Sequence, residues 1–316
     1  MTGSNAGKDF QMSAYPFLSG FPFDHPEHPV SLYDYAPVFR VVDRSGAWVV
    51  KRTGLAHSSG EAIGAWLASL RRGGVAVVAP VDDFAPNPRM LDDGFCWVVY
   101  PYVTGEAYTA SEKQIRNAGS LLGQMHAAEL AETTGLATHF NPVLQSKEWL
   151  ARHEQAGAAL LRQAGYSDAR FRASIDAYLS AAVPVEGLPL AGCSCDFKAS
   201  NLVFAPEPVL VDPDHAARAP RLYDLAVAAL LFHNDAPTAP ARLWSTEEWK
   251  TFMSGYDRHV SLTPYELSNW VSVLRLAWLD QGVWLVGNFP EGWAEKKKAR
   301  YLFDLATINL DCFHLP

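Results

Sequence analysis

Residues 192–214 read GCSCDFKASNLVFAPEPVLVDPD, and three of them, Asp196, Asn201 and Asp212, stand at the intervals that movement of a phosphoryl group requires. An Asp-x-x-x-x-Asn spacing sets a carboxylate and an amide at the two ends of one tight loop. The first can face a substrate hydroxyl while the second faces a metal ion. Asp212 follows the apolar run Val209-Leu210-Val211, which reads as a strand, and can complete that metal site. A lone Asp-x-x-x-x-Asn is common as an Asx turn. Here the strand, Asp212 and a helix-opening Arg221-Leu222-Tyr223-Asp224-Leu225 all follow it, which raises the pattern above a turn.

A site of this kind needs a cation on an upstream strand to hold nucleotide phosphates, and an acid on the next helix to hold that cation. The runs 38–42 and 47–51 read as two strands joined by the turn Asp43-Arg44-Ser45-Gly46. Lys51 ends the second strand, and alternation puts Arg52, its rival, on the opposite face. Ser58-Ser59-Gly60-Glu61 then opens a helix with Ile63, Trp66, Leu67 and Leu70 at helical spacing, closed by Gly73-Gly74, so Glu61 is the expected partner of Lys51. Two further strands are expected at 75–81 and 96–100. A phosphate-covering loop should lie near Tyr33-Asp34-Tyr35-Ala36-Pro37, which holds no glycine.

Pro101-Tyr102-Val103-Thr104-Gly105 breaks the strand pattern and is the expected hinge. Beyond it helical periodicity prevails, with helices expected over 111–130, 146–164, 168–182, 223–232, 246–256, 264–285 and 293–310. The expected fold is α+β and bilobal, protein-kinase-like: a leader over 1–30, partly flexible, a β-rich nucleotide lobe over 31–100, the hinge over 101–105 and a helical lobe over 106–316.

Composition agrees with an enzyme of this size. The chain has 316 residues, 49% hydrophobic and 19% charged, an ordinary globular balance, and its net charge of −8 argues against a nucleic-acid partner. Four scattered cysteines, Cys96, Cys193, Cys195 and Cys312, form neither a disulfide framework nor a zinc pattern. There is no signal-peptide pattern and no apolar run of membrane-spanning length, so the expectation is a cytoplasmic protein, without a membrane partner, monomeric or homodimeric. Lys296-Lys297-Lys298 reads as a solvated helix face.

The motifs SCDFKASN (194–201), VLVDPDHA (209–216), APRLYDLA (219–226) and LLGQMHAAE (121–129) resemble those of the aminoglycoside phosphotransferase and choline-kinase-like group of small-molecule kinases. In that group a loop like HGDxxxxN precedes a strand ending in IDxD and a segment like GPRLYDLA. The resemblance spans most of the chain from Leu32 onward. It implies a kinase-like fold, Mg²⁺ with ATP or GTP as phosphate donor, and a purine held by the backbone near Tyr100, Tyr102 and Val103. It also implies Asp196 as the catalytic base, Asn201 and Asp212 as metal ligands, and a bracing role for Asp224 beneath the loop. His126 reads as a packed helix histidine. Two departures stand out: Ser194 and Cys195 replace the group's His-Gly, and Lys198 lies two residues after the base. Asp196-Phe197-Lys198 resembles the Asp-Leu-Lys of protein serine/threonine kinases, so Lys198 is expected to meet the charge developing on the phosphoryl group.

The acceptor, a small molecule with a hydroxyl, is expected over the mouth of this loop, lined by Asp214, His215, His233, Asn234 and Asp235, then Trp278, Asp280, Gln281 and Trp284 on a late helix, where helical spacing also fits both tryptophans to core packing. Acids beside aromatic rings suit an amine- or sugar-bearing ligand. The leading expectation is an antibiotic of aminoglycoside or nucleoside type, conferring resistance. The alternatives are a metabolic kinase of an amino alcohol or sugar such as choline or homoserine, and a non-catalytic pseudokinase that binds nucleotide or a partner.

Overall fold

The computed structural model describes residues 15–33, 36–53, 57–128, 135–139, 146–180 and 186–315. The leader up to residue 14, and Asp34 and Tyr35 of the expected phosphate-covering loop, lie outside the described residues. The helix α1 (Phe17–Gly20) precedes a five-stranded antiparallel sheet of β1 (Val30–Ser31), β2 (Val38–Asp43), β3 (Gly46–Thr53), β4 (Arg89–Met90) and β5 (Cys96–Pro101), in the order β1-β2-β3-β5-β4.

The β2–β3 hairpin closes where the sequence places its turn, and a side chain does the closing. One oxygen of Asp43 accepts from Ser45 N, Ser45 Oγ, Gly46 N and Trp48 Nε1, replacing the water that a four-residue turn would otherwise leave on its amides. Alternation then divides β3. Val50 faces a cluster with Phe17, Phe21, Val41, Phe84, Trp97 and Val99, while Lys51 faces the other way, towards the larger lobe. Arg52 falls on the opposite side from Lys51, as expected, with its guanidinium 4.2 Å above the Phe95 ring.

The helix α2 (Gly60–Arg72) is capped by Ser59 Oγ, which accepts from Ala62 N, and it buries Ile63, Trp66, Leu67 and Leu70 in the main core. The expected strand at 75–81 is corrected. That stretch joins no ladder of the small sheet; it bridges Val77 to Leu210 of the other lobe, with Val78 N donating to Leu210 O and Leu210 N to Ala76 O. Its valines are apolar because they are buried between the lobes, and Arg89–Met90 supplies the sheet's missing strand.

The helical lobe contains α3 (Glu112–Ala127), α4 (Lys147–Gln163), α5 (Ala169–Ser180), α6 (Arg221–Leu231), α7 (Thr246–Tyr256), α8 (Pro264–Ala277), α9 (Val283–Asn288), α10 (Pro290–Ala294) and α11 (Lys296–Ala306). Most fall where periodicity puts them. The expected helix over 264–285 runs unbroken to Asn288, with a π-helical turn at Trp278–Gly282 between α8 and α9, while that over 293–310 divides into α10 and α11. Helices α3 and α7 cross at glycine distance: a Cβ on Gly119 would lie 1.9 Å from Phe252 O, and one on Gly255 1.9 Å from Arg116 O. Residues 190–220 form two two-stranded antiparallel pairs, the β7–β8 hairpin (Leu202–Phe204 with Pro208–Leu210) and, enclosing it in sequence, β6–β9 (Leu190–Cys193 with Ala217–Pro220). No helix of the described residues is long and apolar enough to cross a membrane.

Candidate active site

The segment between β6 and β7 is anchored by Phe197, fully buried with its ring 6.0 Å from Phe232 and 6.4 Å from Phe252, and by Ala199 N donating to Phe232 O at 2.9 Å. Asp196 and Asn201 are thereby held together. Asn201 Nδ2 donates to Asp196 O at 2.9 Å and to Asp196 Oδ2 at 3.1 Å, and Lys198 Nζ lies 2.9 Å from the same Oδ2. The two side-chain contacts fall on one carboxylate oxygen, so Oδ1 is the atom Asp196 can offer a hydroxyl.

Val211 N donates to Asn201 O at 2.9 Å, which sets Asp212 beside Asn201. With its amide nitrogen committed to Asp196, Asn201 has an oxygen to offer a cation, and Asp212 adds a carboxylate. Two hard oxygen donors side by side fit Mg²⁺. Lys51 reaches across from β3 to this pair, 2.5 Å from Asp212 Oδ1 and 3.0 Å from Asp214 Oδ2.

Its charge has opposite outcomes on the two acids. Burial disfavours ionisation of Asp212, but the Lys51 ammonium outweighs it and holds that carboxyl below the usual range. For Asp214, burial together with the neighbouring Asp212 charge prevails over Lys51, and the carboxyl is pushed up. Burial also works against the charge on Lys51, yet its two carboxylates raise it above the ordinary lysine value.

Several expectations are corrected. Glu61 is exposed in the first turn of α2 and, among the described residues, makes no ion pair; Asp212 and Asp214 hold Lys51 instead. Asp214 thus stands with Asp212 against Lys51. Asp235 stands beside the loop, 3.9 Å from Lys198 Nζ and paired with Lys298. His233 is buried between Tyr108 OH and Arg242 O, each 3.0 Å away, and burial brings its pKa down to about 4. Trp284 packs edge-on to Phe289 against the helical core. Tyr100 is buried and paired with Val49, and Tyr102 N donates to Ala47 O at 3.0 Å, so of the three expected nucleotide residues Val103 is the one beyond the paired strand.

Asp280 and His215 do share one place, with residues the sequence did not single out. The π-helical turn carries Asp280, whose Oδ2 accepts from Tyr223 OH at 2.5 Å and from Gln281 Nε2 at 2.9 Å. His57 and His139 stack with ring centroids 3.5 Å apart, and His215 stands edge-on 6.1 Å from His57. Burial, then the neighbouring His139 and His215, bring His57 down to about 4, so this pair is uncharged at neutral pH. No periodicity could have joined residues this far apart in the chain.

Beneath the loop the departures from the family pattern become legible. Asp224, fully buried, accepts from Ser194 N at 3.0 Å and contacts His126 Nε2 at 3.1 Å, while His126 Nδ1 meets Tyr256 OH at 3.0 Å. These bonds tie the loop to α6, α3 and α7, and both residues act as braces. Cys195 adopts φ +55°, the left-handed region that favours the glycine it replaces. Arg221, a motif residue to which the sequence assigned no role, forks onto buried Glu266 at 2.7 and 2.8 Å, docking α6 against α8.

The profile of the phosphotransferase enzyme family (APH) matches residues 34–261. Solved structures with this fold include a microcompartment-associated aminopropanol kinase (15% identity, 94% of this chain and 99% of that one, TM-score 0.60). A spectinomycin phosphotransferase with AMP bound is similar (12%, 93% and 97%, 0.61), as is an amicoumacin kinase in complex with AMP-PNP and Ca²⁺ (13%, 96% and 95%, 0.60). No curated protein matches the chain in sequence. The profile match over most of the chain, on the protein-kinase-like fold described above, establishes that this protein belongs to the phosphotransferase enzyme family.

Proposed function

We propose that this kinase transfers the γ-phosphoryl group of ATP or GTP to a hydroxyl of a small, amine-bearing molecule, an antibiotic in the first place. The observation that carries the reading is the convergence of Asp196, Asn201, Asp212 and Lys51 at one mouth between the lobes. Asp196 orients the acceptor hydroxyl through Oδ1 and takes its proton as the oxygen attacks phosphorus. Lys51 moves from the carboxylates to the nucleotide phosphates. Asn201 and Asp212 hold Mg²⁺, which when bound neutralises phosphate charge. Lys198 stabilises the charge that develops on the transferring group.

Asp280, fixed by Tyr223 and Gln281 beside an uncharged histidine stack, supplies the carboxylate that an ammonium would seek. The same feature suits an amino alcohol, and the structural relatives include both classes, an aminopropanol kinase on one side, a spectinomycin phosphotransferase and an amicoumacin kinase on the other. The test is transfer from labelled MgATP and MgGTP to a panel of aminoglycosides, nucleoside antibiotics and amino alcohols. Labelled product is expected with at least one amine-bearing acceptor and is lost in Asp196→Asn; undiminished product in that variant, or none from wild type on any acceptor, overturns the reading.

A further inference from the structure

The sequence reads Lys298 as part of a solvated face, yet its side chain is only 15% exposed and reaches Asp235, a neighbour of Lys198 in the catalytic loop. Its ammonium contacts Asn234 Oδ1 and Asp235 Oδ1 together. Its neighbour Lys297 binds Pro237 O, and Tyr301 OH donates to Leu230 O at 2.8 Å, so the start of α11 clamps residues 230–237 from outside. The clamped segment is the one that holds the loop, through Phe232 O and Ala199 N. Lys298 lies beyond residues 34–261, outside the part of the chain that the family profile covers.

Charge alternates along this path: Lys298, Asp235, Lys198, Asp196. Two carboxylates compete for the one ammonium of Lys198, which rests 2.9 Å from Asp196 Oδ2 and 3.9 Å from Asp235 Oδ2. Asp235 is the weaker rival because it is already occupied, Oδ1 by Lys298 and Oδ2 by Asn234 Nδ2 at 2.8 Å. Its backbone lies at φ +59°, in the left-handed region that aspartate adopts more readily than most residues.

We propose that Lys298 is a positioning residue for phosphoryl transfer: by satisfying Asp235 it keeps the Lys198 ammonium on the catalytic loop, beside Asp196. This rests on the kinase reading above, in which Lys198 meets the transferring group. Removing the Lys298 charge frees Asp235 to draw Lys198 off Asp196. Nucleotide binding, which belongs to Lys51 and its partners, is left alone.

The experiment combines kinetics on the best acceptor of the panel with a crystal structure. Lys298→Met is expected to lower kcat about tenfold with nucleotide KM within about twofold, and adding Asp235→Asn should restore most of the loss, because the rival carboxylate is gone. A purely structural clamp predicts the reverse, a double variant worse than either single one. In the Lys298→Met crystal structure Lys198 Nζ should have moved to Asp235; an ammonium still on Asp196, or losses that multiply in the double variant, overturns the proposal. Should Lys298→Met fail to fold, Lys298→Gln takes its place in both measurements. Absence of transfer by wild type would sink the kinase reading itself, while the crystallographic comparison would still decide where Lys198 goes.

Discussion

Two lysines in this molecule each stand between two carboxylates, and they are built for different work. Lys51 bridges Asp212 and Asp214 from a strand of the other lobe, so its ion pairs hold the lobes together at the nucleotide mouth. Lys198 lies between Asp196 and Asp235 inside one lobe, where its partners and Asn201 form a single loop network. On the proposed reading, the first arrangement comes apart when nucleotide phosphates enter and the second persists until the acceptor reacts. Disruption of the two should therefore separate binding from turnover.

The largest effects test whether that separation is real. Asp196→Asn is expected to reduce kcat by about 10³-fold with nucleotide affinity unchanged. Asp212→Asn should lose as much in kcat and, in addition, the stabilisation that MgATP gives in thermal unfolding, since it removes both a metal donor and the partner of Lys51. Equal behaviour of the two in the nucleotide-binding assay would break the comparison. Next, Lys51→Met should cost about a hundredfold in kcat/KM, mostly through KM for nucleotide, whereas Lys198→Ala should cost about tenfold in kcat alone. A Lys198→Ala enzyme within about threefold of wild type would remove Lys198 from the chemistry.

The smallest effects concern stability. Because the folded state raises the Asp214 pKa, this group favours folding most at low pH, and the advantage fades as pH rises past the unfolded carboxylate value towards the folded one. At pH 7 the charge opposes folding, so Asp214→Asn should unfold in urea at a midpoint no lower than wild type, and the difference should vanish below pH 4. Asp212, held below the usual range by Lys51, has the opposite sign: its contribution is present above the unfolded value and is lost as pH falls through the folded one. Cys195→Gly should gain about 1 kcal/mol by relieving the left-handed backbone, measured by the same urea unfolding.

Much of the Lys198 region was legible because its chemistry is local. Asp196, Lys198, Asn201 and Asp212 lie within one short stretch, where spacing alone decides which atoms can meet. The Lys51 region was legible only in half. Strand alternation chose Lys51 over Arg52, but nothing local could show that its partners would be Asp212 and Asp214 rather than Glu61 in the next helix. Ion pairs between lobes depend on how the lobes dock. The same limit explains the stretch at 75–81, whose valines are buried between lobes and so mimic a sheet strand, and Lys298, whose partners are more than sixty residues away. Asp280 was found for a local reason, an acid in an apolar helix, though its setting required the π-helical turn that periodicity smoothed over.

That turn at Trp278–Gly282 is one residue longer than an α-helical turn, and an α-helix advances about 100° with each residue. Deleting a single residue there would let α8 and α9 run on as one regular helix and swing Asp280 away from Tyr223 by roughly that angle. The loop that performs the transfer, on a different segment, would be untouched. If Asp280 seats the acceptor as proposed, a lineage carrying this protein could exchange one acceptor for another by losing or regaining one codon, with no change to Asp196, Asn201, Asp212 or Lys51.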